Sequence, residues 1–205
     1  EVVDYALDRG VRIIPEIDVP GHAASYVKGY PEIMADCFQK YYYNINDFAL
    51  NPAVPKTYEV LEGLVTDVVK SSKSSFLHLG GDEVVYGCWD QDKSILQYKQ
   101  ENGITSDNEL LGIFVEKVQK IAISRGATPV HWEEVFKAGL ADVVSPQTIF
   151  QVWTGAEFVS QCTAAGFRTV ASPSEVWYLD HADNTWDVMF NYDPSTNLTS
   201  SQQAL

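Results

Sequence analysis

The chain has 205 residues, with 14 Lys and Arg against 28 Asp and Glu, and a formal net charge of −14. Its 45% hydrophobic and 20% charged residues fit one folded domain with a full core and exclude a disordered chain. No Lys/Arg cluster is available to neutralise phosphates, and no run approaches the roughly 20 apolar residues of a membrane span, so neither nucleic acid nor a bilayer is expected as a partner.

Residues 1–10 read as the back half of a helix, with Val2, Val3, Tyr5, Ala6 and Leu7 apolar and Gly10 as its C-terminal cap. With Glu1 first and no basic-then-apolar leader, the chain is expected to be the middle of a longer catalytic domain. Residues 11–17 follow as a strand entering a loop at Pro20-Gly21. Residues 58–71 carry a helical stripe of Val60, Leu61, Leu64, Val65, Val68 and Val69. A second strand at 75–79 stops at Gly80-Gly81, and a second helix at 107–124 presents Leu110, Leu111, Phe114, Val115, Val118 and Ile121. Gly126 caps that helix. Strands at 128–132, 148–153 and 167–171 complete the series, with a short helix at 156–165 between the last two. No linker divides the chain, so residues 1–205 are read as one domain.

Alternating strands and helices indicate parallel βα units. Polar and aromatic residues follow nearly every strand: Asp18 and His22, Asp82 and Glu83, Trp132 and Glu133, Trp153, then Trp177 and Tyr178. A doubly wound sheet gathers its site at one switch point, usually beside a Gly-rich phosphate loop, and no such loop is present. Residues with chemistry at the C-terminal ends of successive strands are the mark of a (β/α)8 barrel. The expected fold is therefore an α/β (β/α)8 barrel present in part, about five of its eight βα units.

Three cysteines, Cys37, Cys88 and Cys162, form neither an even disulfide set nor a CxxC zinc knuckle. Asn197-Leu198-Thr199 is a glycosylation sequon suited to a secreted chain.

The densest chemistry lies in His78-Leu79-Gly80-Gly81-Asp82-Glu83. Its glycines permit a tight turn that presents two consecutive carboxylates. The same pair also reads as the acidic first turn of a helix. Glycoside hydrolysis ordinarily needs two carboxyls flanking the scissile bond, about 5–5.5 Å apart for retention and about 6.5–9.5 Å for inversion. Neighbours on one turn approach from the same side. The better division makes Glu83 the general acid and Asp82 the partner of a nucleophile supplied by the substrate, such as a 2-acetamido carbonyl.

This run, with Pro20-Gly21-His22 upstream and Gln151-Val152-Trp153 and Trp177-Tyr178-Leu179 downstream, resembles the β-N-acetylhexosaminidases of glycoside hydrolase family 20. The motifs occur in the family's order from Arg9-Gly10-Val11-Arg12 to Trp177-Tyr178. The resemblance implies Glu83 as general acid then base, Asp82 assisting the acetamido nitrogen, and Tyr178 bonding its carbonyl. It implies Trp132 and Trp153 as walls of the methyl pocket, His22 as a setter of the acid's protonation, and Trp177 and Asp180 as substrate contacts. It pairs Cys37 with Cys88, leaves Cys162 a free thiol and gives His78 a structural place. Tryptophans at strand ends also serve as plain packing residues. The family's arginine clamp, the Asp that supports the acid, and a closing Trp and Glu belong to segments this chain does not contain.

The resulting expectation is a retaining exo-hydrolase of terminal β-linked N-acetylglucosamine or N-acetylgalactosamine. It would act on chitin oligomers, N-glycans or glycolipids, without cofactor or metal, in a secreted or lysosomal compartment, with a homodimer of the parent protein left open. Two alternatives are a non-catalytic acetamido-sugar-binding piece and a metal-dependent barrel enzyme using Glu16, Asp18, Asp82 and Glu133.

Overall fold

The structure is a computed structural model that describes residues 1–36, 48–196 and 198–204. Helix α1 (Val2–Leu7) opens the chain, and 3-10 turns at Ala24–Lys28 and Pro31–Ile33 lead to α2 (Pro55–Ser72). Strand β1 (Phe76–His78) is followed by a 3-10 turn at Tyr86–Cys88, then α3 (Lys93–Asn102) and α4 (Asp107–Ser124). Strand β2 (Thr128–Trp132), α5 (Glu134–Lys137), β3 (Ile149–Val152), α6 (Glu157–Ala164) and β4 (Arg168–Ala171) come next. Short helices α7 (Ser174–Trp177) and α8 (Trp186–Asn191) stand near the end.

The four strands are parallel and lie in the order β1-β2-β3-β4, each beside the next in sequence. The order never reverses among the described residues, so there is no switch point of the doubly wound kind.

The strand expected at 11–17 is reduced to a single parallel bridge, Glu16 to His78. Its ladder survives as His78 N–H to the Pro15 carbonyl at 2.9 Å and Ile17 N–H to the His78 carbonyl at 2.8 Å. Pro15 has no N–H to extend it. Val11 and Ile14 are exposed at this edge, as is Val170 of β4 at the other.

Helix α2 begins three residues before its apolar stripe because Pro55 suits the first helical position. Helix α4 is capped by Ser106 Oγ, which accepts the Glu109 N–H at 3.1 Å. It lays Phe114 and Val118 against Leu61 and Val65 of α2 and Leu77 of β1. Helix α3 was not visible as a stripe because Ile95 is its one buried residue; its ends are nevertheless marked by Asp92, which caps Ser94 and Ile95, and by Gly103 in the left-handed region. The second core joins Trp89, Leu110, Leu111, Val135, Phe150 and Phe167. Both cores press the helices onto one face of the sheet and leave the strand C-termini to build the site.

Candidate active site

The turn after β1 is shaped by what surrounds it. Gly80 (φ +63°) and Gly81 (φ +100°) lie in backbone regions that other residues rarely adopt. A Cβ on Gly80 would overlap Asp18, and one on Gly81 would stand 2.5 Å from Val135 Cγ2. The turn accordingly projects Asp82 and Glu83 side by side, with Glu83 itself at φ +49°.

Loop 18–22 closes on this turn. Gly21 allows the approach, since a Cβ there would meet the Asp82 carbonyl at 3.1 Å. His22, also at positive φ, places Nε2 3.3 Å from both Asp82 Oδ2 and Glu83 Oε2 and 4.0 Å from Asp18 Oδ2. Asp18 accepts the Gly81 N–H at 3.3 Å. Its pKa is pushed up to about 8, first by burial and then by the charge and hydrogen bond of Asp82. Burial beside Asp82 thus favours the neutral form of Asp18. Glu16 is also raised, chiefly by burial.

The other side of the mouth is aromatic. Trp132 donates its indole N–H to Glu16 Oε1 at 3.0 Å and packs on His78 with ring centroids 4.7 Å apart. Trp153 stacks on Tyr178 at 6.2 Å and 15°. The Trp153 indole N–H lies 3.1 and 3.0 Å from the two Glu134 oxygens. Glu134 is pushed up to about 7, mainly by burial and then by Glu133. Buried Glu133 receives the Trp153 N–H at 3.1 Å, the Thr154 N–H at 2.8 Å and the Thr154 hydroxyl. Tyr178 is raised by burial and then by Asp82, Asp180, Glu133 and Glu134, so both sides of the mouth act on one phenol.

The expected residues therefore fall into two groups. Asp82, Glu83 and His22 converge directly, and Trp153 joins Tyr178. Trp132 is tied to Glu16 instead. Trp177 is 43% exposed and meets Tyr192 edge-on at 5.9 Å, and Asp180 is exposed beyond Tyr178. Cys37 and Asn197 lie outside the described residues, so neither the Cys37–Cys88 pairing nor the sequon is placed; Cys88 is buried. Cys162 is a free buried thiol, pushed up to about 12 by burial. The four-carboxylate metal set does not assemble among the described residues. Glu133 is bound by Trp153 and Thr154, and the ligand atoms that do gather are those of Asp18, His22 and Asp82. Glu134 was missed, although Trp-Glu-Glu directly after a strand offered the signal.

A model of the glycosyl hydrolase family 20 catalytic domain matches residues 1–204. Beta-hexosaminidase 3 of Arabidopsis thaliana is 36% identical over 205 residues, covering 99% of this chain and 36% of that protein. Beta-hexosaminidase subunit beta of Homo sapiens is 33% identical over 186 residues, covering 87% of this chain and 32% of that protein. A solved exo beta-N-acetylglucosaminidase from Vibrio harveyi, in complex with N-acetylglucosamine, superposes with a TM-score of 0.83 at 27% identity. It covers 97% of this chain and 34% of that one. The chain thus spans about a third of the length of these relatives. Its sheet is part of a (β/α)8 barrel.

Proposed function

The chain belongs to glycosyl hydrolase family 20, and from that premise we propose that its protein removes terminal β-linked N-acetylhexosamine by substrate-assisted catalysis with retention. The observation that carries this reading is the single turn that holds both Asp82 and Glu83, with His22 3.3 Å from each. Two carboxyls on one turn are poorly placed to take opposite faces of a sugar, which supports a nucleophile supplied by the substrate.

In this mechanism Glu83 donates a proton to the glycosidic oxygen as the 2-acetamido carbonyl oxygen attacks the anomeric carbon. The C–O bond to the leaving group breaks and a cyclic oxazolinium ion forms. Asp82 faces the amide nitrogen, where positive charge grows, and stabilises it. Glu83, now a carboxylate, takes a proton from the incoming water, which opens the ring with net retention. Burial of Asp18 beside Asp82 disfavours a second full charge there, which leaves the Asp82 carboxylate to the substrate. The Trp153–Tyr178 stack offers an apolar wall for the acetamido methyl, with the phenol at its rim. Glu83 also borders a cleft of about 340 Å³ lined by Tyr86, Asn108, Glu134 and Lys137, which gives room for the departing group.

A secreted or lysosomal setting fits the family, and no helix among the described residues is long and apolar enough to cross a membrane. The test is p-nitrophenol release from the 2-acetamido-β-glucoside and from the plain β-glucoside by the full-length protein, with the first-formed anomer read by proton NMR. Fast release only from the acetamido sugar, with a β product, is expected; comparable turnover of the plain glucoside sinks the assisted mechanism.

A further inference from the structure

Two buried histidines outside the catalytic group grip the backbone that carries it. His131, 2% exposed, has Nδ1 3.2 Å from the Gly80 carbonyl. A carbonyl only accepts, so this nitrogen must carry a proton. His78, 4% exposed, has Nδ1 3.1 Å from the Gly80 N–H and must accept there. Both polar groups of the Gly80 residue are thus held by imidazoles, and burial pulls both rings below the usual histidine range, to about 4 for His131 and about 3 for His78. Glu16 Oε1 also lies 3.3 Å from His78 Nδ1, so that contact is a shared one, whereas the Gly80 carbonyl faces His131 Nδ1 together with the backbone N–H of Trp132.

We infer that His131 is a positioning residue: by donating its Nδ1 proton to the Gly80 carbonyl it fixes the turn from which Asp82 and Glu83 project. The inference rests on the function proposed above. Gly80 and Gly81 have no side chains to anchor the turn, so its position is set by what holds its backbone groups. The Trp132 N–H, 3.1 Å from the same carbonyl, holds it from the ladder side, and His131 supplies the second direction. A tilt about Gly80 is transmitted to Glu83, whose proton must meet the leaving oxygen within hydrogen-bond reach.

The test uses the full-length protein, with His131→Leu to remove the donor and His131→Asn to return an N–H near the place of Nδ1. Two 2-acetamido-β-glucosides are compared, one with an activated aryl leaving group and one whose leaving group is a sugar hydroxyl. Displacing the acid harms the poorer leaving group more. His131→Leu should lower kcat/KM by about tenfold or more for the sugar leaving group and by under about threefold for the aryl one, with Asn restoring most of the loss. Equal losses on both substrates, failure of the Asn rescue, or unchanged kcat/KM overturns the inference. If the Leu variant does not fold, ¹⁵N NMR of the wild-type histidines decides: a neutral His131 protonated on Nδ1 is expected, and protonation on Nε2 alone overturns it. A wild type that cleaves neither glycoside instead defeats the proposed function, while the NMR result still reports separately on the Gly80 clamp.

Discussion

Asp82 and Glu133 each follow a strand of the same sheet by a few residues, yet their surroundings differ. Glu133 is fully buried and takes hydrogen bonds from two backbone N–H groups and a hydroxyl, so its carboxylate is spent on holding the start of the Trp153 loop. Buried Asp82 Oδ1 finds no hydrogen-bond partner among the described residues, and the nearest cation-forming group, His22, is shared with Glu83 and Asp18. One carboxylate is satisfied and anchors structure; the other is left with unspent bonding capacity where a substrate can use it. The same contrast separates the strained turn at 80–83 from the well-bonded loop at 153–154, and it is what an active site on a rigid scaffold requires.

Substitutions at the two carboxylate groups should therefore fail in different ways. The largest effect is expected from Glu83→Gln: kcat/KM on 2-acetamido glycosides falls by about 10²–10⁴-fold, with the melting temperature nearly unchanged. Glu133→Ala should do the reverse in emphasis. It strands two part-buried N–H groups and costs about 2 kcal/mol of stability, read by urea denaturation. If Glu133→Ala is as stable as wild type, the division between anchor and reagent is wrong.

Smaller effects sharpen the comparison within the aromatic side. Glu134→Ala leaves the Trp153 indole N–H without its acceptor and should lower kcat/KM by roughly three- to tenfold, while Glu134→Gln, which keeps an acceptor, loses less. The last effect is a slope. Asp18 has its pKa raised to about 8 in the folded chain against an ordinary carboxylate value when unfolded. Between those values the unfolded state releases a proton that the folded state retains, so Asp18 contributes a fall in stability as pH rises from about 4 to 8. Asp18→Asn should flatten that fall in denaturation curves taken at pH 5 and pH 8.

Much of this was legible in the residues themselves. The long stripe of α4 is visible because six apolar positions repeat at helical spacing, and β2 because a short β-prone run sits between Gly126 and a polar corner. Gly-Gly-Asp-Glu could be read as a presenting turn because the glycines permit a tight backbone, although the same residues also suit an acidic first helical turn. Other features depend on contacts at long range. Segment 11–17 has strand composition, but only the structure shows that Pro15 and an open edge reduce it to one bridge. Trp177 and Tyr178 are neighbours in sequence, yet helix α7 ends between them, sending one toward Tyr192 and the other onto Trp153. The roles of Glu133 and Glu134 were hidden because adjacent identical residues carry no mark of which is buried.

The central claim is that the substrate supplies the nucleophile while Glu83 supplies the proton. Its most direct test is a series of p-nitrophenyl β-glucosides in which the 2-acetamido group carries zero to three fluorines, turned over by the full-length protein. Each fluorine weakens the carbonyl oxygen as a nucleophile with little change in shape. The account predicts a steep, continuous fall in kcat/KM along the series, exceeding about tenfold by the third fluorine. A flat series would contradict it and assign the nucleophile to the protein.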